Sequence, residues 1–379
     1  MSLRVSVLLI PVVLCVLLPH DAVADSVDCS PELVDLRSND LTHLTADMFA
    51  RVTNAALLFL QDNRVTSIER GAFHALSRLA VLSLAGNAIG SIKQGVFDGM
   101  SSLTYLYAYS AAAASRLNVV PSGAFNGTSS LTELHLSHND IEFVHKGSFL
   151  GMPSLALLWL DDNLIMDIQG GTFQALPSLS VLSLIDNRLG AVKKGMFNGI
   201  SSLAFLWLNQ NRIADVENGA LDAMGSLTEL RLSDNLIGRI WRGMFCRITS
   251  LLALHVNLLN ASHTRTLVTC VVHRWMDHNC VSIVEQGAFD RLSSLRELEL
   301  SNNYIDTVET GVFNGLSSLV FLRLANNHIT YIEKAAFDGM SSLGTLVLTG
   351  NPICYWLHWS YPGIAQALWG LPNRTQVIC

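Results

Sequence analysis

Residues 155–173 read LALLWLDDNLIMDIQGGTF, and the spacing within this stretch decides the fold. Its fixed positions are Leu155, Leu158, Leu160, Asn163, Ile165, Ile168 and Phe173. The same frame fits residues 179–197 and 319–337. Because successive strand residues point to opposite faces, residues 158–160 predict a β-strand with both leucines inward and Trp159 outward.

Asparagine marks the period of the pattern, since each copy stands 24 residues after the last at Asn139, Asn163, Asn187, Asn211 and Asn235. The same ladder includes Asn39, Asn63, Asn87, Asn303, Asn327 and Asn351. A second column holds phenylalanine from Phe49 to Phe337, with Leu221 in one copy. A fixed period in this range indicates one small unit stacked many times around a continuous core. The asparagine amides can satisfy backbone groups of adjacent turns that no sheet pairs.

This pattern resembles the leucine-rich repeat in its typical 24-residue extracellular form, and the resemblance covers residues 33–351. It implies an α/β repeat solenoid, a curved horseshoe with a long parallel sheet on its concave face. The family includes Toll-like receptor ectodomains, proteoglycan cores and Slit-like guidance proteins. The resemblance therefore implies a secreted or cell-surface recognition module that binds a protein or glycoprotein, although fold alone does not specify function.

The ends of the sequence predict an exported protein. Residues 1–24 have the charged start, short apolar stretch and small-residue cleavage site of a secretory signal peptide. The apolar stretch is too short for a membrane span, so we expect no transmembrane segment and a secreted, extracellular localisation. We expect a partial N-terminal cap at 25–44, the solenoid at 45–351 and a C-terminal cap-like segment at 352–379.

Six cysteines remain after the signal peptide, and an oxidising compartment favours their pairing. Cys354–Cys379 is the first choice, and the segment that it would close resembles the cysteine-rich C-terminal cap of extracellular leucine-rich repeat proteins. Cys29 has no obvious partner, which leaves either an unpaired thiol or an intermolecular bond. Three sequons predict glycans on Asn126, Asn260 and Asn373.

Two insertions interrupt the period, since Phe97 to Phe125 spans 28 residues and Phe245 to Phe289 spans 44. Inserted loops often belong to the binding face of a solenoid. A neutral loop or a decayed extra repeat is an equal alternative, because long loops are well tolerated.

The larger insertion, about 257–278, contains most of a Cys/His-rich stretch from Cys270 to Cys280. The spacing of that stretch superficially resembles a zinc site. In an exported protein a disulfide is favoured instead, with Cys270–Cys280 as the preferred pair. The sequence shows no nucleophile–base pairing and no phosphate-binding loop. We therefore expect no enzyme activity, no cofactor and no metal.

Residues between the inward leucines point outward onto the sheet, which the resemblance places on the concave face, and we call this surface the sheet face. Its aromatic and charged residues are the candidate ligand-binding site: Tyr105, Tyr107, His135, Trp159, Phe205, Trp207, Arg231 and His255. Exposed aromatic residues mark interaction surfaces, and Tyr, Trp and Arg dominate interface energetics. Stacking of neighbouring rings that only stabilises the sheet is the alternative. An acidic edge accompanies the site: Asp161, Asp162, Asp186 and Asp234.

The net charge of −7 makes nucleic acid an unfavourable partner. The sequence therefore favours an extracellular protein or glycoprotein ligand. A structural matrix or adhesion component that self-associates, for example as a homodimer, is the alternative function.

Overall fold

A computed structural model describes residues 32–110, 117–256, 279–357, 371–372 and 374–379 of the chain. Several sequence predictions lie outside these residues and stay predictions: the signal peptide at 1–24, the insertion at 257–278, Asn260, Cys270 and Asn373. The chain forms two compact units, a first unit of Met1–Ser183 with Asn198–Ile200 and a second unit of Leu184–Phe197 with Ser201–Cys379.

The described elements of the first unit are strands with short turns between them. In chain order they are β1 (Leu33–Asp35), β2 (His43–Leu44), β3 (Leu57–Phe59), β4 (Ser67–Ile68), β5 (Val81–Ser83), β6 (Tyr105–Tyr107), β7 (Val119–Val120), β8 (Glu133–His135), β9 (Phe143–Val144), β10 (Leu157–Trp159), β11 (Asp167–Ile168) and β12 (Val181–Ser183). The three-residue strands form one sheet in the order β1-β3-β5-β6-β8-β10-β12. The two-residue strands form separate small sheets, β2-β4 and β7-β9-β11.

The second unit repeats this organisation. Its elements are β13 (Ala191–Val192), β14 (Phe205–Trp207), β15 (Asp215–Val216), β16 (Glu229–Arg231), β17 (Arg239–Ile240), β18 (Ala253–His255), β19 (Ile283–Val284), β20 (Glu297–Glu299), β21 (Thr307–Val308), β22 (Phe321–Arg323), β23 (Tyr331–Ile332), β24 (Thr345–Val347), α1 (Pro352–Leu357) and β25 (Gln376–Ile378). The main sheet has the order β14-β16-β18-β20-β22-β24-β25. The short strands pair as β13-β15, β17-β19 and β21-β23.

The main sheet of each unit is parallel, and its register equals the sequence period. In the first unit Leu158 pairs with Leu182 and Leu134, one repeat away on either side. These central leucines are fully buried, while the residues beside them in β8 and β10 are half-buried. The parallel-sheet repeat solenoid predicted from the leucine alternation is therefore confirmed.

The ladder asparagines bind the backbone of neighbouring repeats. The Nδ2 group of Asn163 donates to the carbonyls of Leu136 and Leu160, each at 3.0 Å. Its Oδ1 accepts from the amide of Ile141 at 3.1 Å. One buried side chain thus satisfies three backbone groups in the turn after the strand, where the sheet offers no partner.

The phenylalanine column packs the other side of the core. In the first unit the rings of Phe49 and Phe73 stack at 5.8 Å between centroids, and the contacts continue to Phe173. In the second unit the column runs from Phe245 to Phe337 at 5.9 to 6.3 Å. Such stacked pairs add to the stabilisation from apolar burial.

The C-terminal segment closes with the predicted disulfide. Cys354 in α1 is bonded to Cys379, and β25 between them pairs in parallel with β24. The sequence did not predict β25, because Gln376–Ile378 carries none of the repeat spacing. Cys280 is also disulfide-bonded, and its partner lies outside the described residues. Among the described cysteines Cys246 is free.

The asparagine ladder generates the first prediction. Asn163→Ala should lower the free energy of unfolding by about 2–4 kcal/mol, because it leaves an amide and two carbonyls unpaired in the interior. Urea denaturation measures the difference. The exposed Asn118→Ala should stay within about 0.5 kcal/mol of wild type. Equal loss in both variants would contradict the ladder's role.

A second prediction concerns a turn position that favours glycine. Gly243, Gly287 and Gly311 have φ of 84°, 82° and 81°, whereas the equivalent Ala335 has φ of 65°. Left-handed backbone strains any residue with a Cβ, so Ala335→Gly should stabilise the fold by about 0.5–1 kcal/mol. Gly243→Ala is the matched control, because its added Cβ would meet no atom within 4 Å. It should destabilise by about 1 kcal/mol, and a rise in its denaturation midpoint would refute the argument.

Candidate functional site

The strand sequences place the candidate residues in two rows, one on each unit. In β6, β8 and β10 the central leucine is buried, so the residues on either side reach the sheet face. The first aromatic row consists of Tyr105, Tyr107, His135 and Trp159. The second aromatic row consists of Phe205, Trp207, Arg231 and His255 on β14, β16 and β18.

The first aromatic row is a stack with one exposed ring beside it. Tyr107 and His135 stack at 4.8 Å between ring centroids, and His135 and Trp159 at 5.7 Å. The three rings cover one another's faces, which agrees with a stabilising role for stacking. Tyr105 stands apart in the adjacent register with 39% of its surface exposed.

Carboxylates bracket the first aromatic row. Glu133 Oε1 lies 2.6 Å from His135 Nε2, within the same strand. Asp161 Oδ1 accepts the hydroxyl of Ser183, which is fully buried although its position in β12 faces the sheet surface. Burial and the adjacent hydroxyls and carboxylate raise the pKa of Tyr107. The tyrosine hydroxyl is therefore neutral and free to donate over the physiological range.

The second aromatic row is tied together by one glutamate. Glu229 Oε1 accepts from Arg231 Nε at 2.5 Å and from Trp207 Nε1 at 3.1 Å. The guanidinium carbon of Arg231 lies 5.1 Å from the Trp207 ring centroid, a cation–π contact. Phe205 meets Trp207 edge to face at 6.4 Å and remains 36% exposed. Arg231 and Trp207 are thus already partnered within the chain.

Glu133 and Glu229 were not among the predicted site residues, although the structure makes both of them central to their rows. The sequence feature that could have identified these glutamates is the strand triplet, Glu-Leu-His at 133–135 and Glu-Leu-Arg at 229–231. Residues two apart on a strand share a face, so each glutamate had to lie beside the ring or cation that follows it.

His255 is a half-buried member of the second aromatic row. Burial lowers its pKa from the ordinary value, and the charge of Arg231 acts in the same direction. The carboxylates of Glu297, Glu229 and Glu299 oppose this shift. The imidazole is therefore held in its neutral form, which makes it a hydrogen-bonding rather than a charged element of the face.

The acidic edge has a backbone explanation. Asp162, Asp186 and Asp234 have φ of 49°, 52° and 53°, the left-handed conformation that aspartate tolerates better than most residues. Each stands immediately before a ladder asparagine. Asp162 also lies 2.6 Å from His138 Nδ1. Turn geometry therefore accounts for these aspartates without a bound cation.

One sequon lies within the described residues. Asn126 is half-exposed, while the Thr128 hydroxyl is buried and donates to the carbonyl of Phe125 at 2.8 Å. Glycosylation of Asn126 stays a prediction. None of the helical segments in the described ranges has the length and apolar character needed to span a bilayer.

Comparison with known proteins identifies the repeat. Residues 53–109, 113–165, 153–213 and 294–353 match the family described as Leucine rich repeat. These matches cover more than half of the chain. No curated protein matches the chain significantly.

Solved structures share the fold at low sequence identity. The Toll–Spatzle complex of Drosophila matches with a TM-score of 0.72 and 19% identity, over 91% of this chain and 45% of that one. The mouse RP105/MD-1 complex matches with a TM-score of 0.66 and 22% identity, over 90% and 56%. The TLR13–ssRNA13 complex matches with a TM-score of 0.60 and 22% identity, over 92% and 54%. The chain spans about half the length of each of these proteins.

The lowered pKa of His255 gives a pH prediction. Below pH 6.5, the ordinary pKa of histidine, His255 binds a proton more readily in the unfolded chain than in the folded chain. The stability that is present above pH 6.5 is therefore lost as the pH falls through the lower pKa of the folded state. Wild type should therefore lose more stability than His255→Gln between about pH 7 and about pH 5. Urea midpoints measure this, with the exposed His43→Gln as control. Parallel losses in wild type and His255→Gln would contradict the assignment.

Proposed function

Because the chain belongs to the leucine-rich repeat family, we propose that it is a secreted or cell-surface recognition module that binds a protein or glycoprotein through its sheet face. The observation that carries the proposal is the composition of that face. Tyr105, Phe205 and Phe321 stand on it with 39%, 36% and 41% of their surfaces exposed. Exposed rings of this kind mark interaction surfaces rather than contributing to a core.

The two aromatic rows have the properties of interface centres. Trp207 and Arg231 are held by Glu229, and Tyr107 and Trp159 are held by stacking on His135. A side chain fixed before binding loses less conformational entropy when a partner arrives. Tyr, Trp and Arg are also the residues whose truncation most reduces affinity in protein interfaces.

Proteins of the same fold support a macromolecular ligand, because RP105 is in complex with MD-1 and Toll with Spatzle. TLR13 is in complex with a single-stranded RNA. For this chain the net charge of −7 opposes a polyanion. A protein or glycoprotein is therefore the proposed ligand.

Export is part of the same proposal. The proposal includes a domain organisation with a signal peptide at 1–24, a partial cap at 25–44, a solenoid at 45–351 and a cap-like segment at 352–379. Glycans on the sequons belong to it as well. We propose no catalytic role, because the described side chains of both rows engage one another's rings and the carboxylates of Glu133 and Glu229 rather than forming a nucleophile with its base.

A capture experiment tests the proposal. The mature, glycosylated chain would be used as bait in the extracellular fraction of its source, beside Trp159→Ala and Trp207→Ala. Each variant removes one ring from one row, so a partner of the sheet face should bind at least roughly tenfold more weakly to one of them. Quantitative mass spectrometry of the captured proteins gives the comparison.

Trp241→Ala is the matched control, because this tryptophan follows β17 and donates to the Val216 carbonyl at 3.2 Å, away from the sheet face. A partner that both row variants retain would refute the sheet-face site. Capture of the chain by itself, unchanged in the row variants, would favour the self-associating structural component.

A further inference from the structure

The sheet face repeats one arrangement, in which an aromatic ring and a carboxylate occupy paired positions on neighbouring strands. On the described strands of the two main sheets, four such pairs join a phenylalanine or tyrosine to a carboxylate: Asp35/Phe59, Tyr105/Glu133, Phe205/Glu229 and Glu297/Phe321. Paired residues on adjacent strands lie about 4.8 Å apart, so each pair offers a ring face beside a negative charge. This combination suits a guanidinium group, which is both cationic and planar.

Arg37 occupies the first of these pairs. Its Nε donates to Asp35 Oδ1 at 2.8 Å, and its Nη2 donates to Asp35 Oδ2 at 2.5 Å. The guanidinium carbon lies 5.6 Å from the centroid of the Phe59 ring. The hydrogen bond from Arg37 lowers the pKa of Asp35, as expected for a compensated carboxylate.

The second unit supplies an arginine to both of its pairs. Arg323 binds Glu297 through Nη1 and lies 5.6 Å from the Phe321 ring centroid. Arg231 binds Glu229 and lies over Trp207, the ring that contacts Phe205. In three of the four pairs the chain itself thus provides the cation.

The Tyr105/Glu133 pair has no arginine. Two residues after Glu229 the chain has Arg231, whereas two residues after Glu133 it has His135. Histidine, unlike arginine, is not always charged. From β3 to β12 the outward strand positions hold neither lysine nor arginine: Leu57, Phe59, Val81, Ser83, Tyr105, Tyr107, Glu133, His135, Leu157, Trp159, Val181 and Ser183. Tyr105 is exposed, and the Glu133 side chain retains 21% of its accessible surface.

We infer that an arginine of the protein partner occupies the Tyr105/Glu133 pair, with its guanidinium over the Tyr105 ring and its N–H groups donated to the Glu133 carboxylate. This deepens the proposed function and rests on it. The partner segment is therefore basic, and it complements the acidic chain. The chain places its own guanidinium on both members of the pair twice, with Arg37 and Arg323, and a third time on Glu229 beside the neighbouring Trp207 ring, so this face accepts a guanidinium between a ring and a carboxylate.

A defined peptide tests the inference without the natural partner. The probe is a fluorescent peptide of alternating glycine and arginine, and its comparator carries citrulline, a neutral isostere, in place of arginine. Fluorescence anisotropy with the mature, glycosylated chain gives both affinities. The citrulline peptide should bind at least roughly tenfold more weakly, because it lacks the charge for both the carboxylate and the ring.

Four variants locate the binding to this pair. His135→Arg recreates the Glu229-x-Arg231 spacing and should close the site, so the arginine peptide should bind at least roughly tenfold more weakly to it than to His135→Gln. Glu133→Gln should weaken binding similarly. Glu142→Gln removes the same charge from an exposed position outside the main sheet and should bind the peptide as wild type does. Thermal melting confirms that each variant is folded.

Several results would overturn the inference. These are equal affinity for the two peptides, no binding of either, equal affinity of His135→Arg and His135→Gln, or equal losses in Glu133→Gln and Glu142→Gln. A separate result would refute the proposed function, namely a captured partner that binds Trp159→Ala and Trp207→Ala as tightly as it binds wild type. A partner lost in Trp159→Ala but retained in Glu133→Gln would keep the recognition role and exclude this contact.

Discussion

The hydrogen bonds of the ladder asparagines are the constraint on which the rest of the structure depends. In the second unit Asn211 donates to the carbonyls of Leu184 and Leu208 at 2.8 and 3.0 Å, and it accepts from the amide of Leu189 at 3.0 Å. A bond that joins one repeat to the one before it fixes their relative register. Since an unpaired buried carbonyl or amide is costly, each repeat must stack at this register or lose several bonds together.

A fixed register turns each position of the repeat into a column, so a side chain's neighbours are the same position in adjacent repeats. Phenylalanine above phenylalanine gives the stacked core column. On the sheet face, Ser83 lies in a column between Phe59 and Tyr107 and is 3% exposed. The exposure of a residue on this face is therefore set by the size of the side chains beside it, as much as by its own polarity.

Features that depend on period alone could be predicted from the sequence. The leucine strands, the ladder and the phenylalanine column follow from spacing, and the Cys354–Cys379 bond follows from a local segment. β25 could not be predicted, because its pairing depends on how the segment after the last repeat returns to the sheet. The candidate residues of β6, β8 and β10 flank buried leucines, as the alternation along a strand predicts. Their partners depend on rotamers, which is why the role of Glu229 in binding both Trp207 and Arg231 was missed.

A single outward residue can change the charge of a site without disturbing the fold. Residues 133–135 and 229–231 differ only at the last position, histidine in one and arginine in the other. In both triplets the central leucine is fully buried and the glutamate binds the residue two positions on. Core and face residues alternate along the strand. Arginine in the place of histidine therefore changes the charge beside the carboxylate and leaves the buried leucine unchanged. Differences in recognition between repeats can therefore arise at outward positions while the buried leucines of the strand stay the same.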